Sequence, residues 1–148
     1  MTCVWTGILQ RLKDYKLINT KITENEFAIF CINSTRKTPN VLINDTNLTE
    51  QQQEENYEAI QNINTNLITE GYWCSTSDPL LCLICDIYDV NIVHDYRNTI
   101  IKYKKTKPLC TQKDKSEKFI PKITLFFCSD RNHFLFDKNK TKKFNKSK

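Results

Sequence analysis

The sequence predicts an α+β fold in which helices pack on a small, mainly antiparallel sheet. Helical signals come first along the chain, as capping boxes and as apolar residues at helical spacing. Short apolar runs bounded by turn residues, which are typical of strands, follow in the second half. With 148 residues, of which 39% are hydrophobic, the chain is long enough for one domain with its own core.

Two helices are predicted near the N-terminus. Trp5, Ile8 and Leu12 recur at the spacing of one helical face and predict a helix over residues 4–18. Residues 23–26, Thr-Glu-Asn-Glu, form a capping box that starts a second helix. This second helix carries the apolar residues Phe27, Ile29, Phe30 and Ile32.

Two further helices begin at recognisable caps. Residues 49–52, Thr-Glu-Gln-Gln, form another capping box and predict a polar helix to about residue 64. The glutamine- and glutamate-rich stretch 51–55 in it is expected to face solvent. Asp78 followed by Pro79 predicts a helix start, and the helix over residues 80–88 is almost wholly apolar, so we expect it to be buried.

The strands are predicted from short apolar runs. The last two of them, separated by a turn at residues 129–132, are expected to form an antiparallel hairpin. The polar, basic stretch 104–118 is expected to be an exposed loop. The predicted extended segments are residues 41–43, 91–94, 100–103, 123–128 and 133–136.

The positive charge is concentrated at the C-terminus. The net charge is +5, and lysines crowd residues 138–148. We therefore predict one domain over residues 1–137 and a basic disordered tail over residues 138–148. Such a tail is also compatible with contact to an acidic surface, but nucleic acid is not an expected partner.

The cysteine count and the apolar runs indicate a compartment. Seven cysteines, an odd number, without a recognisable signal peptide favour reduced thiols in the cytoplasm or nucleus. No apolar run reaches the length of a membrane span, so no membrane partner is expected. With only two glycines, a phosphate-cradling loop is improbable, and no cofactor is predicted.

A zinc site is the alternative use of the cysteines. Cys82 and Cys85 have the spacing of half a zinc site, and the other candidate ligands are distant in sequence. Because this pair lies in an apolar helix instead of a polar turn, core packing is the favoured interpretation and no metal is predicted. His94 follows a buried strand and is interpreted as a structural histidine. The other candidate ligands are Cys74, Cys110 and Cys128.

Cys3 and His133 are the candidates for catalysis. A cysteine in the first turn of a helix lies where unpaired N–H groups and the helix dipole favour the thiolate. His133, one of two histidines, begins a predicted strand near the other end of the chain. Thiol proteases need such a thiolate with an imidazole within hydrogen-bond reach. Taken alone, a cysteine next to Val4 and Trp5 is more often a core residue.

Three stretches resemble the ovarian tumour (OTU) family of cysteine proteases, most of which are deubiquitinases. Residues 3–8, Cys-Val-Trp-Thr-Gly-Ile, look like the family's nucleophile helix. Residues 71–80 and the strand at 91–93, Asn-Ile-Val, look like its central segment, in which a Trp-containing loop leads into a helix and a strand. Residues 123–134 look like its closing hairpin, where an aromatic residue follows the catalytic histidine. Together these stretches cover nearly the whole chain.

The resemblance implies a fold, a mechanism and a substrate. It implies an OTU-like cysteine protease fold, with Cys3 as the nucleophile and His133 as its base. Asp137 is the candidate for orienting the imidazole, because Leu135 occupies the position where the family often has Asp or Asn. Trp73 and Phe134 would line a narrow channel for a Gly-Gly tail of ubiquitin or a ubiquitin-like protein.

The same resemblance leaves two functions open. The first is a monomeric thiol-dependent deubiquitinase, of a divergent viral type that acts in the host cytoplasm or nucleus. The second is a catalytically inactive OTU-like module that binds ubiquitin or another protein. The second stays open because the family's Asp-Gly-x before the nucleophile has no counterpart ahead of Cys3 in this sequence.

Overall fold

The computed structural model describes residues 3–63, 78–106, 121, 123–130 and 133–135. These residues form helices and strands in an α+β arrangement, as predicted. The helices are α1 (Cys3–Asp14), α2 (Glu24–Asn33), α3 (Glu50–Gln61) and α4 (Pro79–Tyr88). The strands are β1 (Val41–Ile43), β2 (Thr46–Asn47), β3 (Asn91–Tyr96), β4 (Thr99–Lys105), β5 (Thr124–Asp130) and β6 (His133–Leu135).

The strands form one mixed sheet in the order β2-β1-β4-β3-β5-β6. The β3–β5 pair is parallel, and the other neighbouring strands are antiparallel. The predicted mainly antiparallel sheet and the β5–β6 hairpin are therefore confirmed. The parallel pair was not anticipated, since it joins strands that are not consecutive along the chain.

The predicted helix starts are confirmed by their caps. The Thr23 and Thr49 side chains each accept a hydrogen bond from the backbone N–H three residues on, and Glu26 and Gln52 reciprocate. The Asp78 carboxylate accepts hydrogen bonds from Leu80 N at 2.9 Å and Leu81 N at 3.2 Å. These contacts are local, which is why they are readable in sequence.

The end of α1 differs from the prediction, because the helix stops at Asp14 and does not continue to residue 18. Lys16 adopts a left-handed backbone with φ 59°. Its N–H donates to Lys13 O, and Leu17 N donates to Leu12 O at 2.9 Å, which is the Schellman pattern. The usual glycine signal is absent here, and Leu17 packs on the core from outside the helix.

The prediction that residues 104–118 form an exposed loop is wrong for the first two of these residues. Lys104 and Lys105 belong to β4, and Lys105 is buried with 1% exposure. Alternation along the strand explains this, because Lys105 shares the inner face with Ile101 and Tyr103. Residues 107–118 of that stretch lie outside the described residues.

The strand β2 was not predicted. Asn44 and Asp45 both have positive φ, 50° and 65°, and connect β1 to β2 in a two-residue hairpin turn. Asn and Asp tolerate this conformation better than other non-glycine residues. The turn is therefore encoded locally, although strand β2 has only two residues.

The core lies between the helices and one face of the sheet. Helix α4 is its centre, since residues 80–86 are all buried. The hydroxyl oxygen of Tyr103 in β4 accepts a hydrogen bond from Asp78 N at 3.0 Å and so holds the start of α4 to the sheet. The burial predicted for this helix is confirmed. Within the part of the chain that the structure describes, no helix is both long and apolar enough to cross a membrane.

Candidate active site

The fold brings together the two elements that carry the candidate catalytic residues. Helix α1 begins at Cys3, and strand β6 begins at His133. Cα atoms of these two elements approach within 8 Å of each other. In the β5–β6 ladder, His133 lies opposite Asp130. Segments from opposite ends of the sequence are thus neighbours at the β6 edge of the sheet.

Helix α1 is held in place by its apolar face. Trp5 is 1% exposed, and Ile8 and Leu12 are fully buried in the core. The Trp5 ring meets the Phe27 ring of α2 edge-to-face, with centroids 6.0 Å apart. Burial of this stripe fixes the helix axis, and with it the position of the helix N-terminus at Cys3.

The charge distribution along α1 favours an anion at its start. The first turn contains no acidic residue, and the last turn carries Arg11 and Lys13. Arg11 pairs with Asp14 at 3.7 Å. The dipole at the helix N-terminus therefore favours an anion at the Cys3 position, and the Glu24 carboxylate of α2, which accepts a hydrogen bond from Thr6 Oγ1 at 2.8 Å, opposes it from outside the helix. A helix N-terminus by itself lowers the pKa of a thiol.

Three of the described cysteines, Cys31, Cys82 and Cys85, are buried thiols of low reactivity. Burial raises the pKa of the Cys31 thiol to about 12. Burial also raises the pKa of Cys82 and of Cys85 in α4, and the Asp78 and Asp86 carboxylates add to the effect at Cys82. The favoured core interpretation of Cys82 and Cys85 is confirmed, since both are 0% exposed.

Among the described residues, no cluster of three or more His, Cys, Asp or Glu side chains could hold a metal ion. Cys128, one of the proposed zinc ligands, lies in β5 and is half-buried. Cys74 and Cys110 lie outside the described residues.

His94 lies in the middle of the sheet, in agreement with its interpretation as structural. In register it stands between Ile101 of β4 and Phe127 of β5, and it is 0% exposed. Its ring packs edge-to-face on Tyr96 with centroids 5.6 Å apart. Burial lowers the pKa of His94 to about 4, although Asp95 opposes this shift. The imidazole is therefore neutral near pH 7.

The remaining predicted site residues are only partly described. Phe134 lies in β6, opposite Ser129 of β5. Trp73 and Asp137 lie outside the described residues. The structure therefore brings the elements of Cys3, His133 and Phe134 together and leaves the other two as predictions.

A buried ion cluster was missed by sequence reasoning. The Lys105 ammonium donates to Asp86 O at 2.8 Å and Asp86 Oδ1 at 2.9 Å, and it pairs with Asp89 Oδ1 at 3.0 Å. Arg36 Nε donates to Asp86 Oδ2 at 2.6 Å. Two signals were available: a lone Asp86 in an apolar helix, and the period-two alternation that ends at Lys105.

Comparison with known proteins identifies no relative of the chain. No protein-family model, curated protein or solved structure matches the chain. Acyl transfer by a thiol requires a cysteine and a base, and the neighbouring elements α1 and β6 begin with a cysteine and a histidine.

Proposed function

We propose that the chain is an OTU-like thiol hydrolase that cleaves isopeptide bonds to ubiquitin or a ubiquitin-like protein. The observation that carries the proposal is the approach of α1, which begins at Cys3, to β6, which begins at His133. Two segments at opposite ends of a sequence become neighbours, and each contributes one of the residue types that thiol proteases require.

In the proposed mechanism, His133 accepts the thiol proton of Cys3 and the thiolate attacks the carbonyl carbon of the isopeptide. Backbone N–H groups at the start of α1 stabilise the oxyanion. The protonated imidazole then gives its proton to the leaving lysine amine, and an acyl thioester remains on Cys3. Water, deprotonated by His133, attacks the thioester and releases the free C-terminal carboxylate and the thiol.

The resemblance to the OTU family also suggests roles for three residues around the proposed catalytic pair. Asp137 is proposed to orient the His133 imidazole. Trp73 and Phe134 are proposed to line the channel for the Gly-Gly tail, in which side chains larger than hydrogen would not fit. No cofactor enters this mechanism.

The other described thiols compete poorly for the role of nucleophile. The thiolate is the reactive form, and burial keeps Cys31, Cys82 and Cys85 protonated near pH 7. Cys128 is half-buried in β5, opposite Leu135 of β6, and makes the matched control for Cys3.

The test is intact-mass analysis after incubation with ubiquitin that bears a C-terminal thiol-reactive group. We expect one adduct on the wild type and on Cys128→Ser. We expect none on Cys3→Ala, and slower formation on His133→Ala because the base is missing. An adduct that persists in Cys3→Ala would contradict the assignment of the nucleophile.

The alternative is a catalytically inactive OTU-like module. The observation that favours it is Leu135, which stands where the family often has a residue that orients the histidine. If folded wild type forms no adduct but binds ubiquitin, and Cys3→Ala binds with the same affinity, the inactive module is the better description.

A further inference from the structure

A groove runs along the outward side of α1 and rests against the segment that leads into α2. Its volume is about 390 Å³. Leu9 and Ile22 give it an apolar lining, and polar side chains form the rest. On α1 these polar side chains are Thr6, Gln10 and Lys13, and on the other wall they include Lys21 and Glu24.

The groove is in line with the proposed nucleophile. Thr6, Gln10 and Lys13 lie on one stripe of α1, and helical periodicity places position 3 on the same side, one turn before Thr6. From Thr6 to Lys13 the stripe is about 10 Å long at 1.5 Å per residue. That length fits about three residues of extended chain.

Two charged side chains, Glu24 and Lys13, have defined places along the groove, and Lys21 lies on the wall that also carries Glu24. Glu24 stands at the end near position 3, because its Oε2 accepts a hydrogen bond from Thr6 Oγ1 at 2.8 Å. Lys13 lies at the far end of the α1 stripe. A carboxylate accepts several hydrogen bonds, so Glu24 retains capacity for a cationic ligand after binding Thr6. The near end is complementary to a positive side chain and the far end to a negative one.

The proposed substrate determines which part of it, on the acyl side or the amine side of the scissile bond, can contact these charges. On the acyl side, the residues next to the bond are the two glycines of the Gly-Gly tail, which have no side chain. Thr6 and Glu24 lie within about one helical turn of position 3, so they face residues close to the bond. The charged groove wall near position 3 can therefore distinguish substrates only by residues on the amine side of the bond, next to the modified lysine.

We propose that this groove binds the segment of the conjugated protein that flanks the modified lysine, with Glu24 selecting a cationic residue next to that lysine. The inference rests on the proposed hydrolase function and deepens it by naming a substrate class. Glu24 is a specificity-determining residue in this scheme and takes no part in the chemical step.

The test uses conjugates of ubiquitin with three short peptides through an isopeptide bond. The peptides differ only in the residue next to the modified lysine, which is Arg, Ala or Glu. A fluorogenic amide of ubiquitin, which lacks a peptide on that side, reports the hydrolase activity of the wild type by itself. We expect kcat/KM to fall from Arg to Ala to Glu, by about two- to fivefold per step, as for one partly exposed ion pair.

Glu24→Gln keeps an acceptor for Thr6 but removes the charge, so it should abolish the preference among the three peptides. Glu26→Gln is the matched control, because Glu26 is exposed on the same helix and Gln also serves in a capping box. The control should keep the wild-type preference. If Glu24→Gln also keeps it, the inference is overturned while the hydrolase function stands.

If the fluorogenic amide is not cleaved, the proposed function fails and the groove is tested by binding. The three unconjugated peptides are labelled with a fluorophore, and their affinities are measured by anisotropy. Tighter binding of the Arg peptide that Glu24→Gln removes would support the groove as a peptide site. Affinities that Glu24→Gln leaves unchanged would overturn it.

Discussion

Two regions of the molecule use charged residues in opposite ways. At α4 and the end of β4, charges are buried and bind one another: the Lys105 ammonium contacts three oxygens of Asp86 and Asp89. Two of these contacts are hydrogen bonds to Asp86 and the third is an ion pair with Asp89, so the ammonium is already engaged by oxygens of the protein. Along α1, the Glu24 carboxylate lies in an open groove and retains acceptor capacity.

The charged groups around α4 serve the stability of the fold, whereas those along α1 are accessible to a ligand. Helix α4 is enclosed by core residues, capped by Asp78 and held to β4 by Tyr103. Helix α1 buries one face, and the helix lies close to β6, the edge strand of the sheet. A ligand can therefore approach α1 without disrupting packing, whereas any change at α4 acts on the core.

The largest expected contrast is thiol reactivity. With iodoacetamide near pH 7, we expect Cys3 to be alkylated more than about 100-fold faster than Cys31, because the helix terminus favours the thiolate and burial opposes it. Peptide mapping by mass spectrometry at successive times gives both rates in one sample. In denaturant the two rates should converge, and equal rates in the folded protein would remove the contrast.

Breaking the buried ion cluster should cost the most stability. Lys105→Met removes the ammonium from the buried Asp86 carboxylate and leaves Arg36 as its cationic partner, so the loss should approach but not exceed the about 3–5 kcal/mol of a fully unpaired buried charge. Lys104→Met is the matched control, since Lys104 is exposed in the same strand and its pair with Asp45 contributes less than about 1 kcal/mol. Urea unfolding measures both, and equal losses would contradict a stabilising role for the cluster.

Acid should destabilise the fold through His94. Because burial lowers its folded pKa to about 4 from an ordinary 6.5, the unfolded chain binds more protons between these values. The free energy of unfolding therefore falls as pH drops below about 6.5, and the loss approaches about 3 kcal/mol once pH is below 4.

His94→Phe keeps an aromatic ring against Tyr96 but cannot titrate, so it isolates this effect. Its free energy of unfolding, measured by urea titration at several pH values, should depend less on pH in that window than that of the wild type. Parallel curves for the two proteins would assign the acid sensitivity to other groups.

The smallest expected effect is the loss of stability when a helix cap is removed, which we compare at two caps. Asp78→Ala should cost about 2 kcal/mol, at the upper end for a cap, because its carboxylate accepts two backbone hydrogen bonds in a buried place. Thr49→Ala should cost about 0.5–1 kcal/mol, because water can replace the lost acceptor at an exposed cap. Thermal unfolding of both variants gives the order, and a reversed order would mean that α4 is held by packing alone.

The sequence by itself determined the features that depend on neighbours along the chain. The caps at Thr23, Thr49 and Asp78 mark helix starts because a side chain reaches a backbone N–H two or three residues away. The apolar composition of α4 was enough to predict its burial. For the candidate site, the sequence supplied the residues Cys3 and His133 and their place at the start of a helix and of a strand.

Only the tertiary structure decided the features that depend on distant partners. Alternation along β4 signals the inward position of Lys105, but its partners Asp86 and Asp89 come from another part of the chain, and the left-handed turn at Lys16 ends α1 where Leu17 can reach the core. The parallel β3–β5 pair, the approach of α1 to β6 and the groove beside Glu24 all join segments far apart in sequence. Their free energy comes from contacts that exist only after the chain has folded, so no local pattern encodes them.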